Sequence, residues 1–171
     1  MQTGSGNVYG TAASPSNADD NIACLTGFPA NQYVQATVFR AGGYDPTPSV
    51  HEIELHVSCT ITAHSITSYE FLMNSAGAFQ VVRWNGALND FFTGISVNTF
   101  NGGPTAVVDG DVMRVERVGN NFSMYQNAVL KWTWTDGNVT GGAPGVAAFW
   151  GSPTNIVAAN FGFKDFTAGA M

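Results

Sequence analysis

The stretch "DGDVMRVERVGNNFSMYQNAVLKWTWTDGNVTGGAPGVAAFW", from Asp109 to Trp150, decides the fold. Met113 and Val115 fall on one side of an extended chain, Arg114 and Glu116 on the other. Phe122 and Met124 alternate in the same way with Ser123 and Tyr125, and Leu130, Trp132 and Trp134 alternate with Lys131, Thr133 and Thr135. A period of two held through three consecutive runs means strands with one wet face, the pattern of an antiparallel sheet and not of a helix. Gly and Asn punctuate the runs, and "GGAPG" leads into a fourth strand.

The same alternation extends upstream. "NQYVQATVFRA" (Asn31 to Ala41) puts Val34, Ala36 and Val38 on one face. "SVHEIELHVSCTITAHSI" reads as one long strand, with His51, Ile53, Leu55, Val57, Cys59 and Ile61 on one side and Glu52, Glu54, His56, Ser58, Thr60 and Thr62 on the other. "SYEFLMN" and "AFQVVRWNG" form a hairpin about "SAG", and "NIVAANFGFKDFTAG" is the last strand. "NDFFTGISVNTF" reads as a loop with one short strand. Met1 to Asp20, rich in Gly, Ser, Ala and Asn, reads as a flexible N-terminal segment holding a first strand at Asn7 to Ala12, and residues 21–171 as a single domain. No stretch shows a 3.6-residue period. Ten or more short strands separated by turn residues give an all-β, two-sheet antiparallel β-sandwich.

At 171 residues the chain is long enough to bury roughly 70% of its unfolded surface in one core. Charged residues make up 11%, and the formal net charge is -6. The six basic residues are scattered, whereas phosphate neutralisation needs them clustered, so nucleic acid is excluded as an expected partner. No apolar run approaches the ~20 residues of a spanning helix, so membrane insertion is not expected. The first residues carry neither the basic nor the apolar region of a secretory signal, so the protein is either cytosolic or virion-borne, or a mature or excised domain of an extracellular or cell-surface protein, and the linker-like start favours the second. Cys24 and Cys59 can form one bridge or stay as two buried thiols.

The series "GDVMRVERVGNNFSMYQNAVLKWTWTD", "GAPGVAAFW" and "NFGFKDFTAG" resembles the C-terminal half of concanavalin A-like lectin/glucanase jelly rolls, including laminin-G-like members. The resemblance is close over Asp109 to Gly169 and looser from Gln32, with "HEIELHV" and "FQVVRWNG" as the matching middle strands. Ala128 departs from it, standing where the family turn usually has Gly after Asn127. The resemblance implies a jelly roll with a glycan-facing groove on its concave sheet and, as in many relatives, a structural calcium.

The sharpest chemical candidate is Glu52-x-Glu54-x-His56, where alternation sets neighbours ~6.6 Å apart on one strand face. Carboxylates at such a spacing can serve glycoside hydrolysis as acid and base or acid and nucleophile. Glycanases resembling family 16 carry E-x-D-x-x-E on one strand; here the sequence is "EIELHV", with Glu for Asp and no final acid. The R-x-E-x-R and Q-I-H patterns of alginate lyases do not occur. The favoured reading is therefore two glutamates solvated or hydrogen-bonded on an exposed face. Arg83 shares a face with Phe79 and Val81, either buried against an acid such as Glu52, Glu54 or Glu70 or donating to sugar hydroxyls. Trp84 points the opposite way and is assigned to the core before a stacking platform, as are Trp132 and Trp134. Tyr125, with Tyr44, Tyr69 and Trp150, better suits ring stacking on a half-wet surface. Asp19 and Asp20 with Asp165 are candidate calcium ligands. His51, His56 and His64 lack zinc spacing, which argues against catalytic zinc.

These residues support first a non-catalytic carbohydrate-binding module contacting a glycan through Glu52, Glu54, Arg83 and Tyr125, with Tyr69 or Trp150 stacking on sugar rings. A structural or adhesion jelly roll of a virion or surface protein comes second. A glycoside hydrolase or polysaccharide lyase using Glu52, Glu54 and His56 or Arg83 comes third.

Overall fold

The computed structural model describes residues 2–4, 6–10, 21–42, 51–74, 78–87, 90–97, 107–150 and 158–171. They form thirteen strands: β1 (Gln2–Gly4), β2 (Asn7–Tyr9), β3 (Asn21–Cys24), β4 (Gln32–Arg40), β5 (His51–Thr62), β6 (Ser65–Asn74), β7 (Phe79–Ala87), β8 (Phe91–Val97), β9 (Val112–Val118), β10 (Asn121–Gln126), β11 (Val129–Thr135), β12 (Ala143–Trp150) and β13 (Phe161–Ala170). A single 3₁₀ turn, Ala158–Asn160, leads into β13. The strands make a seven-stranded sheet, β1-β2-β13-β4-β9-β10-β11, and a six-stranded sheet, β3-β12-β5-β6-β7-β8. The pairings are antiparallel. This is the two-sheet sandwich that the alternation predicts. Among the described residues no helix is long and apolar enough to cross a membrane.

The core lies between the sheets and is built by register. Val34 and Ala36 of β4 face Val115 and Met113 of β9, and Val115 in turn faces Met124 of β10. From the other sheet come Ile53, Leu55 and Val57 of β5, paired with Met73, Phe71 and Tyr69 of β6. All of these side chains are buried. Trp132 and Trp134 pack against this core, with Trp134 edge-on to Tyr69 at 5.5 Å between ring centroids.

A second apolar cluster covers part of the other face of the six-stranded sheet: Cys59, Ile66, Leu72, Val82 and Trp84, with Ile22 and Cys24 packed against it. Cys24 and Cys59 are joined in a disulfide.

Two irregularities revise the strand reading. The β5–β6 register shifts between Val57 and Thr60, where Ser58 takes φ 58°. The extra residue turns Ser58 toward the core and sends Cys59 to the outer cluster, away from the face of Val57. The long segment also ends at Thr62, which pairs with Ser65 across a tight turn at Ala63 and His64, so "HSI" belongs partly to β6. In the β10–β11 hairpin, Met124 faces Trp132 but Tyr125 faces Leu130. Leu130 therefore lies on the outer face and is exposed, whereas alternation groups it with the tryptophans. The segment "NDFFTGISVNTF", which reads from the sequence as a loop with one short strand, contains the seven-residue strand β8 on the edge of its sheet. "SAG" lies outside the described residues, although the hairpin it joins, β6 with β7, is formed.

Candidate functional site

The row Glu52, Glu54, His56 lies on the outer face of the six-stranded sheet, because Ile53, Leu55 and Val57 take the core side. Register brings Glu70 of β6 opposite His56, and Ser68 and Trp84 sit beside it on β6 and β7. Glu52 is half-buried, but Glu54 and His56 are 0% exposed and Glu70 is 3% exposed. Their polar atoms engage one another: His56 Nε2 lies 3.1 Å from Glu54 Oε2, and Nδ1 lies 2.9 Å from Ser68 Oγ. Trp84 Nε1–H donates to Glu70 Oε2 at 2.5 Å. Burial lowers the His56 pKa to about 3, so the ring is neutral at physiological pH. A polysaccharide does not reach Glu54 or His56 in this conformation.

Arg83 and Tyr69 lie on the opposite side of the same sheet, directly paired across β6 and β7. Arg83 joins an acid as expected, but the acid is Asp136, at 2.6 Å, and not Glu52, Glu54 or Glu70. Tyr69 is buried, donates to Asp136 Oδ1 at 2.6 Å and accepts the Val139 N–H at 2.9 Å. Burial first, then the hydrogen bond to Asp136, raises its pKa to about 12. Tyr69 is thus a core hydrogen-bonding residue with no ring face open to a sugar. For Asp136 burial works upward, but the donors Tyr69, Asn138 and Arg83 outweigh it and hold the carboxyl below its usual range.

Tyr125 is on a third surface, the outer face of the seven-stranded sheet. There Gln35, Arg114 and Tyr125 form a row across β4, β9 and β10. With Val112, Glu116 and Ala128 they line an open groove of about 290 Å³. The Arg114 guanidinium lies 3.8 Å from the Tyr33 ring centroid, and its Nε donates to Glu116 Oε1 at 2.7 Å. An aromatic ring, a fixed guanidinium, a carboxylate and an amide therefore share one accessible cavity. Alternation placed Arg114, Glu116 and Tyr125 on wet faces; what it could not supply was the β4-β9-β10 order that makes them neighbours.

The structure therefore splits the sequence-derived set across three surfaces: Glu52 and Glu54 on one, Arg83 and Tyr69 inside, Tyr125 on the far sheet. Trp84 is buried in the outer cluster, as a packed residue. Asp165 is exposed in β13 at φ 52°. Its suggested calcium partners Asp19 and Asp20 lie outside the described residues, as do Tyr44 and the side chains of His51 and Trp150.

No family model and no curated protein matches the chain. Solved structures match its fold. The carbohydrate-binding module CBM66 from Bacillus subtilis aligns with a TM-score of 0.65 at 12% identity, over 96% of this chain and 92% of that one. Sheep galectin-11, solved with glycerol, gives 0.53 at 12% identity over 91% and 99%. A toad ovary galectin in complex with thio-digalactose gives 0.51 at 10% identity over 90% and 99%. The chain has the jelly-roll β-sandwich fold of these lectin-type proteins.

Proposed function

We propose that this chain is a carbohydrate-binding, lectin-like domain of the concanavalin A-like kind, which holds a glycan in the Gln35–Arg114–Glu116–Tyr125 groove without cleaving it. The observation that carries the reading is the groove itself. A sugar ring offers an apolar C–H face to an aromatic side chain and a rim of hydroxyls to polar ones. Tyr125 supplies the first; Arg114, Glu116 and Gln35 supply donors and acceptors for the second. The ion pair with Glu116 and the stacking on Tyr33 hold Arg114 in place before a ligand arrives, which lowers the ordering cost of binding. The neighbouring folds support the reading, since one is a carbohydrate-binding module and another was solved with a digalactoside. The disulfide suits an extracellular or cell-surface setting.

The burial of Glu54 and His56 argues against a hydrolase or lyase built on that row. A glycan array followed by affinity electrophoresis tests the proposal. Tyr125→Ala should weaken binding about tenfold, the loss of one stacking contact, without changing the melting temperature. Glu52→Ala should leave binding intact, and no reducing ends should appear. Binding that survives Tyr125→Ala but fails in Glu52→Ala would move the site to the six-stranded sheet. No glycan bound, together with an obligate trimer on sizing, would point instead to an adhesion or virion jelly roll.

A further inference from the structure

In the groove of the seven-stranded sheet, charge is present as a closed pair and not as a free group. Arg114 faces Tyr125 of β10 on one side and Gln35 of β4 on the other, while Glu116, one row along, faces Ser123 and Tyr33. The Arg114 Nε–H donates to Glu116 Oε1 at 2.7 Å, and an Nη2 N–H donates to Met171 Sδ at 3.8 Å. The guanidinium carbon lies 3.8 Å from the Tyr33 ring centroid. Tyr33 has room for this because its neighbour on β13, residue 169, is glycine: a Cβ there would come 2.5 Å from a ring carbon. Arg114 is thus fixed by a ring, a carboxylate and a thioether. Arg114 Nη1 and Glu116 Oε2 are left without a partner among the described residues. The first can only donate and the second can only accept.

We propose that this groove selects an uncharged sugar with adjacent hydroxyls over uronate, sulfated or free amino sugars, an inference that rests on the glycan-binding reading above. A hydroxyl both donates and accepts. Neighbouring hydroxyls on one ring can therefore accept from Arg114 Nη1 and donate to Glu116 Oε2 together, with the ion pair left whole. A carboxylate or sulfate only accepts. It suits Arg114 but must sit beside Glu116, on a chain whose net charge is already -6. An ammonium only donates; it suits Glu116 and meets Arg114. Releasing either partner to serve a charged ligand breaks a charge-assisted hydrogen bond that a neutral ligand keeps. The remaining lining, Val112, Ala128, Gln35 and Tyr125, holds no further charge to compensate. Like charges set side by side act here as discrimination against the wrong ligand.

The test uses an array of matched glycans at physiological ionic strength: neutral rings, the same rings with a C6 carboxylate or sulfate, and the same rings with a free 2-amino group. The full chain, Tyr125→Ala and Glu116→Gln are compared on it. Signals lost in Tyr125→Ala report the groove. In the wild type these should come from the neutral members, about tenfold or more above their charged counterparts. Glu116→Gln keeps an acceptor for the Arg114 Nε–H and so should melt like the wild type. With its carboxylate gone, the acidic members should gain about tenfold relative to the neutral ones. A charged sugar bound through Tyr125 as tightly as its neutral counterpart overturns the selectivity and leaves the groove assignment standing. So does an unchanged neutral-to-acidic ratio in Glu116→Gln. If no signal depends on Tyr125, the groove assignment itself fails and the selectivity falls with it.

Discussion

Asp136 is the residue whose removal should cost most for its exposure. Its Oδ1 accepts from the Tyr69 hydroxyl, from Asn138 N–H at 2.7 Å and from Asn138 Nδ2 at 2.8 Å, while Oδ2 accepts from Arg83. In Asp136→Ala the Tyr69 hydroxyl, between the sheets, loses its acceptor. A buried polar group left unsatisfied costs about 1–3 kcal/mol. The Arg83 ion pair is partly shielded, so its loss adds no more than about 1 kcal/mol. The Asn138 turn bonds add about 0.5–1 kcal/mol. The expected total is about 3 kcal/mol, a fall in melting temperature of roughly 6–12 °C for a domain of this size. Tyr69→Phe alone should cost about 1–2 kcal/mol, because the Val139 N–H then lacks its acceptor. The double variant should be far less destabilised than the sum, since the hydroxyl that Asp136 serves is already gone; urea unfolding should give a coupling of about 1 kcal/mol or more. Strict additivity, or an Asp136→Ala cost below about 0.5 kcal/mol, would refute the network as described.

Alkaline pH probes the same pair. Tyr69 titrates near 10 when unfolded and near 12 in the fold, so its contribution is complete below pH 10 and disappears as pH rises from 10 to 12; urea midpoints should fall in that window and fall less in Tyr69→Phe. Asp136 acts in the opposite direction: its depressed folded pKa gives stability present above the usual carboxylate range and lost as pH drops through the folded value, so Asp136→Asn should flatten the acid limb of the stability curve. Reducing Cys24–Cys59, which are 35 residues apart, should destabilise by about 3–4 kcal/mol through the unfolded chain's regained freedom, measured as a shift in urea midpoint with and without reductant. Ala128→Gly should stabilise by about 1 kcal/mol, because Asn127 and Ala128 form the β10–β11 turn at φ 52° and 63°, where Ala is strained and Gly is not; an unchanged or lower melting temperature would contradict this.

What the sequence reveals follows from what is local. Alternation in Val34–Val38, Met113–Val115 and Phe122–Met124 specifies which side chains face the core, because the period belongs to the backbone itself. It also places Glu52, Glu54 and His56 on one face, Arg83 with Phe79 and Val81 on another, and Tyr125 on a wet side. It does not reveal partners. Whether Arg83 meets Glu70 or Asp136, and whether Glu70 joins His56, depends on inter-strand register and on loops arriving from distant sequence. β8 escapes the alternation for a different reason: Phe91 and Phe92 are consecutive and both exposed on an edge strand, so no period of two marks it. The bulges at Ser58 and Lys131 left no compositional trace, since neither carries the glycine or proline that usually announces an irregularity.

The Ser58 bulge has a structural cause that links the two sides of the six-stranded sheet. Arg117 is buried on the core side, over the rings of Tyr69 and Phe122. Its direct hydrogen-bond partners are neutral: Ser58 Oγ, Gly119 O at 2.9 Å and Val139 O at 2.8 Å. Burial lowers its pKa, and Tyr69 and Asp136 work against that from a distance. A guanidinium in this position needs every donor satisfied, and a regular β5 would aim Ser58 outward. The bulge turns Ser58 inward to Arg117, while Gln32 Oε1 receives the Ser58 N–H at 3.1 Å, so the interrupted ladder leaves that donor paired. The same extra residue carries Cys59 across to the outer face, where it meets Cys24 and closes the sheet onto β3. One inserted residue thus solves a buried-charge problem on one face and positions a disulfide on the other. Straightening the strand to relieve φ at Ser58 would undo both.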